Sequence, residues 1–229
     1  MLKQIIIISD GQSNMGPNPV DVAALAFDNS IMVNTIGIID NEKNTLAIFE
    51  LESIAEHGGG ICELSNINNL SEALSRITVK SIYNTVEEMV SQELKEILDL
   101  NIEEINPKER HKFVRLIDKI GDEIDLRCLI LLDISGSMRN KIEIAKKSIF
   151  ELLLFLEERI GENHIGVMVF PYKNSNCKLL CDFTQDIDVL KKEIEIVETG
   201  GNSPTGFAIE EAIKIFVKDE EYSIYNDII

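Results

Sequence analysis

The apolar positions of this chain follow two rhythms: short unbroken runs alternate with longer stretches spaced at three and four residues. Gln4–Ser9 carries four consecutive isoleucines and ends at Ser-Asp-Gly, which predicts a buried strand meeting a loop. Pro19–Phe27 has helical spacing with proline near its start. Met32–Ile39 reads as a second strand, and Asn44–His57 as an amphipathic helix stopped by Gly58, Gly59 and Gly60. Ile61–Leu64 is a third, short strand. That alternation implies parallel strands joined by helical crossovers.

A long helical stretch follows from Asn69 to Leu98. Its apolar stripe, Val86, Met89, Val90, Leu94, Ile97 and Leu98, predicts an inner face packed on the domain, with a dimer or coiled-coil surface as the alternative. Asn106-Pro107 breaks it, and Lys108–Ile120 is a second helical period ended at Gly121. Then the strand-helix alternation returns. Leu126–Asp133 is continuously apolar, as a strand covered on both faces must be. Ile142–Ile160 is a helix, Ile165–Phe170 a strand and Lys178–Phe183 its antiparallel partner, followed by helices at Ile187–Val197 and Phe207–Val217. The expected fold is a doubly wound α/β sheet, mostly parallel with one antiparallel edge strand, and with a helical insert. Phe27, Phe49, Phe150, Phe155, Phe207 and Phe216 lie on helical faces and are expected in the core.

With 229 residues, 45% of them hydrophobic, the chain can bury a normal core without disulfides or structural metals. Three of its cysteines, Cys62, Cys128 and Cys181, fall in strand-like runs, and Cys177 sits just before one; the set reads as reduced structural thiols of the cytosol. Acidic residues number 40 against 22 basic ones, a net charge of −18 spread along the chain. That balance argues against nucleic acid or an anionic membrane as a partner. The first apolar run is too short for a signal peptide, and no run approaches a membrane span. A cytoplasmic location is the expectation.

The informative segment is Asp133-Ile134-Ser135-Gly136-Ser137-Met138, where a buried strand ends and a helix is about to begin. Ligands of open α/β sheets bind beyond the carboxyl ends of strands. Asp133, Ser135 and Ser137 offer three hard oxygen-bearing side chains suited to Mg²⁺, although a serine at a helix start is also an ordinary N-cap. Two further loops supply oxygens where the same sheet edge should be: Ser9-Asp10-Gly11, and the run from Gly200 to Gly206.

These residues resemble the von Willebrand factor A family and its metal-ion-dependent adhesion site. That site combines D-x-S-x-S after the first strand, a threonine in a glycine-rich loop, and an aspartate after the fourth strand. Asp133, Ser135 and Ser137 match the first motif and Asp10 the third. In the loop, counting back from Ile209 puts Ser203 in the threonine slot, with Thr205 as the rival. The motif order departs from the family's, since the aspartate strand comes first. The chain therefore resembles a circularly permuted member: residues 1–76 as the original C-terminal half, 127–229 as the N-terminal half, and 77–126 as a helical insert joining the original ends.

The resemblance implies Mg²⁺ held directly by Ser135 and Ser137, with Ser203 direct or through water, and Asp133 and Asp10 orienting waters and hydroxyls. It implies a non-enzymatic interaction module whose open metal position accepts an Asp or Glu of a protein partner. Neither a GxxxxGK[ST] phosphate loop nor a GxSxG elbow occurs, and His164, expected just before a strand, belongs to the opposite edge. Among permuted members the whole chain resembles a group from spore-forming Firmicutes encoded near a sporulation Ser/Thr kinase, which points to an adaptor for such a kinase. Besides a metal-dependent hydrolase, two alternatives stay open. One is a scaffold without metal that assembles through its helices. The other is a domain-swapped homodimer in which Asp10 of one chain completes the Asp133 site of another.

Overall fold

Four isoleucines lead into the architecture. In the computed structural model, which describes residues 1–39, 45–98, 106–173, 175–195 and 197–226, Ile5 through Ile8 are all fully buried. Successive strand residues point to opposite faces, so the run must be covered on both sides. It lies in β1 (Leu2–Ser9), followed by α1 (Pro19–Asp28), β2 (Met32–Ile38), α2 (Thr45–His57), β3 (Gly59–Ser65), α3 (Leu70–Leu98) and α4 (Pro107–Glu123). Then come β4 (Leu126–Asp133), α5 (Ile142–Leu156), β5 (Asn163–Phe170), β6 (Lys178–Thr184), α6 (Ile187–Ile194) and α7 (Thr205–Asn226).

The strands form one sheet in the order β3-β2-β1-β4-β5-β6, parallel except for β6, which runs antiparallel to β5 at the edge. Ile5 and Ile7 pack with Leu129, Leu131, Met168 and Phe170 beneath α1 and α7. Ile6 and Ile8 pack with Ile130 and Leu132 on the other face, beneath α3, α5 and α6. The chain is thus a doubly wound α/β fold with helices on both sides of a mostly parallel sheet.

Several boundaries differ from the expectation. Gly59 and Gly60 do not only stop α2; they begin β3, which pairs with β2 from Val33 onward. Asn44, the expected start of that helix, lies outside the described residues, as do Ile196 and Ile228-Ile229. α4 runs through Gly121, whose carbonyl is held by Arg159 at 2.6 Å. α5 ends at Leu156, short of Ile160, because the chain turns there and Arg159 reaches back to the carbonyls of Gly121 and Ile124. α7 begins two residues early, at Thr205, and continues past Val217 to Asn226. His164 is inside β5, where one ring nitrogen meets Gln185 at 3.2 Å. Of the six phenylalanines expected in the core only Phe216 is fully buried, while Phe27, Phe49 and Phe155 sit 43, 61 and 40% exposed. Aliphatic side chains fill the space between helix and sheet, and these rings fall on outward helix faces.

The stripe on α3 is the larger correction. Leu70, Leu74, Ile77, Ile82 and Val86 are buried, but Met89 and Ile97 are 49 and 72% exposed. Twenty-nine helical residues span about 43 Å, whereas an eight-residue strand spans about 27 Å, so α3 outruns the sheet. Beyond Val86 its apolar side meets α4 instead. Residues 76 and 77 both belong to this helix, so its start packs in the main core and its end does not.

Candidate functional site

β1 and β4 lie side by side, but the helices that follow them leave toward opposite faces. α1 packs over Ile5 and Ile7, and α5 over Ile6 and Ile8. This reversal opens a crevice beyond the carboxyl ends of the two strands. Their register sets Ile8 against Leu132, which brings the next residues, Ser9 and Asp133, together.

Asp133 is fully buried and accepts three hydrogen bonds. The Ser9 hydroxyl donates to Oδ2 at 2.6 Å, the Ser203 hydroxyl donates to the same oxygen at 3.1 Å, and the Ser135 backbone N–H donates to Oδ1 at 2.8 Å. Burial raises the pKa of this carboxyl above the ordinary carboxylate value; the bonds from Ser9 and Ser135 pull it down, and the nearby Asp10 charge pushes it up. Ser135 precedes a short 3-10 turn, Gly136–Asn140, which folds Ser137 back so that the two hydroxyls lie 3.1 Å apart. Ser137 in turn donates to Asp10 Oδ1 at 2.6 Å. The other oxygen of Asp10 receives the Lys141 ammonium at 2.5 Å, and only 3% of the Asp10 side chain and 10% of the Lys141 side chain is exposed.

Ser203 is held in place by the loop after β1. Its backbone N–H donates to Asn14 Oδ1 at 3.0 Å, and its carbonyl accepts from the Asn14 N–H at 3.1 Å and the Ser13 hydroxyl at 3.2 Å. Gly200 N–H donates to the Ile134 carbonyl at 2.7 Å, tying the same loop to the end of β4. Gly201 has φ +91, a left-handed conformation that favours glycine. At Gly206 a Cβ would collide with the Pro17 carbonyl, so the first turn of α7 can seat on the N-terminal loop only without a side chain there.

All five residues singled out in the sequence, Asp10, Asp133, Ser135, Ser137 and Ser203, therefore converge within one chain. Thr205 is buried in the first turn of α7, outside this hydrogen-bonded set. Two further residues take part. Ser9 entered the sequence analysis only within the Ser9-Asp10-Gly11 loop and not as a site residue, and Lys141 was missed, its one signal being its spacing four residues after Ser137. Beside the crevice lies a groove of about 640 Å³ lined by Ser9, Asp10, Ser137 and Lys141 on one side and by Ile38, Leu51 and Leu64 on the other.

The donor chemistry fits a hard divalent cation. Four serine hydroxyls and two carboxylates gather here, and the buried Asp133 carboxylate accepts from two hydroxyls and one amide N–H. Among the described residues no three His, Cys, Asp or Glu side chains cluster as a metal site, so a cation here would draw on serine hydroxyls beside the two carboxylates.

Comparison with known proteins follows the same lines. The family model described as von Willebrand factor type A domain matches residues 128–229, the part that begins with β4. An uncharacterized protein of Bacillus subtilis (strain 168), YabS, is 36% identical over 220 residues, covering 95% of this chain and 90% of its own. The crystal structure of an uncharacterized protein from Alicyclobacillus acidocaldarius superposes with a TM-score of 0.89 at 30% identity, over 97% of this chain and 96% of that one. Proximal thread matrix protein 1 of the mussel byssus, solved with a zinc-occupied MIDAS motif, superposes at a TM-score of only 0.30 and 15% identity, too loosely to carry its site across.

Proposed function

Because the chain belongs to the von Willebrand factor type A family, as a relative of YabS, we propose that its serine- and aspartate-lined crevice is a divalent-cation site through which the protein binds an acidic partner. The observation that carries this reading is the continuous network from Ser203 through Asp133, Ser9, Ser135 and Ser137 to Asp10 at the carboxyl ends of β1 and β4. Ser135, Ser137 and Ser203 would be the hydroxyl ligands, and Asp133 and Asp10 would orient them and any bound water. A bound Mg²⁺ supplies a positive charge with few anionic neighbours, and so a position open to an Asp or Glu of a protein partner. The residues of this chain preorganise that position and do no covalent chemistry. The motif order is that of a circular permutation, in which residues 1–76 follow 127–229 in the ancestral sense and 77–126 join the original ends. In the cell the reading is a cytoplasmic interaction module, an adaptor for a sporulation Ser/Thr kinase. No helix among the described residues is long and apolar enough to cross a membrane.

Calorimetric titration with Mg²⁺ tests the site. Wild type is expected to bind and Asp133→Ala to lose binding, with capture of an acidic partner abolished by EDTA in parallel. Absence of Mg²⁺ binding by wild type refutes the proposal. A second reading, a metal-free scaffold that assembles through its helices, draws on the apolar side of α3 beyond Val86. Partner binding unchanged in Asp133→Ala favours it.

A further inference from the structure

The hairpin of α3 and α4 carries a feature that the crevice does not use. Past Val86 the two helices enclose a groove of about 330 Å³, lined by Val90, Leu94, Ile97, Phe113 and Leu116 and almost devoid of polar surface. Ile97 is 72% exposed, Met89 49% and Leu116 43%. Contiguous apolar surface of this kind marks an interaction site more often than scattered single residues do.

The rims carry opposite charge. On α3, Glu93 and Glu96 follow Met89 by four and seven residues and so share its exposed side. On α4, Lys112 and Lys119 flank Leu116 at minus four and plus three. Two of these groups make contacts of the exposed, exchangeable kind within their own helices: Glu96 with Gln92 at 3.0 Å and Lys119 with Glu123 at 3.7 Å.

We propose that this groove is a homodimer interface, in which α3 of one copy lies against α4 of the other. A surface with an acidic rim on one helix and a basic rim on its neighbour is complementary to itself when α3 faces α4. Pairing α3 with α3 would set acid against acid. The net charge of −18 opposes self-association at long range, so the apolar side chains carry the affinity and the rims set the register. This inference is independent of the cation site.

Sedimentation of the full chain over a concentration series tests it. Wild type is expected to show a monomer–dimer equilibrium. Ile97→Asp and Leu116→Asp, at exposed positions of the groove, are expected to weaken it by at least about tenfold. E93K/E96K alone and K112E/K119E alone are each expected to weaken it, and the fourfold combination to restore it, with circular dichroism showing unchanged helix content. A monomer at every concentration, or a dimer indifferent to Ile97→Asp, overturns the interface. A dimer indifferent to E93K/E96K overturns the pairing of α3 with α4.

Discussion

Lys141→Met tests whether the ammonium and a divalent ion share Asp10. Methionine keeps most of the apolar stem of the side chain and removes the ammonium, with its charge and its hydrogen bond to Asp10. The Asp10 carboxylate, 3% exposed, is then left with Ser137 as its hydrogen-bond donor at 2.6 Å. Breaking a buried ion pair by removing one partner costs about 3–5 kcal/mol, and the surviving hydroxyl bond returns about 1 kcal/mol of that. The expected loss is therefore roughly 2–4 kcal/mol in EDTA, or about 4–16 °C in melting temperature for a chain of this size. Divalent cation should reverse it. At a hundredfold excess over Kd, binding to the native state alone contributes about 2.7 kcal/mol. The affinity itself should rise, because a fixed positive charge has been removed from the site. A repulsion of about 1.4 kcal/mol, modest beside the Coulomb energies of such a crevice, already corresponds to tenfold. Melting scans with and without Mg²⁺, together with calorimetric titration, read both quantities. Unchanged stability in EDTA, or Mg²⁺ affinity that is unchanged or weaker, would refute the reasoning.

Three other outcomes follow from the same geometry. Because burial raises the Asp133 carboxyl above its unfolded value, its contribution is most favourable below the ordinary carboxylate range and is lost as pH climbs through the raised value. In EDTA, wild type should therefore lose stability relative to Asp133→Asn as pH rises from about 4, and parallel denaturation profiles would contradict this. Ser203→Ala should weaken Mg²⁺ binding by about 10- to 100-fold while Thr205→Ala leaves it nearly unchanged; the reverse result would assign the hydroxyl to Thr205. Burial pushes the Cys128 thiol up to about 12 and the Cys177 thiol up to about 11, so a disulfide reagent at neutral pH should react with Cys128 only on unfolding and with Cys177 slowly. Rapid labelling of Cys128 in the native chain would count against the buried core described for β4.

The parts of the fold that could be read from the chain were those where one residue type has one physical consequence. Ile5 to Ile8 and Leu129 to Leu132 required helices on both faces, and it was the resemblance of the Asp10 and Asp133 motifs to the family's adhesion site that implied neighbouring strand ends. Lys141 and Ser9 were harder, because their roles arise from the β1–β4 register and the turn after Ser135. A lone lysine at a helix start gives no sign that its partner is 131 residues away. The apolar stripe of α3 was visible, but its destination depends on how far the sheet extends, a length that only the assembled strands define. The phenylalanines misled for a related reason: helical spacing locates a face, and the bulk of a ring says little about which face turns inward.

β1 is the first strand in the chain and a central one in the sheet. During synthesis it can join β2 and β3 early, yet its other flank, four isoleucines long, has no neighbour until β4 emerges more than a hundred residues later. Until then the nascent chain presents an apolar template for misassociation. The last component, the Ser203 loop, arrives later still and is stitched to residues made at the outset. On the proposed cation-site reading, ion capture would be tied to completion: a ribosome-bound or truncated product lacking that loop would be unable to pass as a finished molecule.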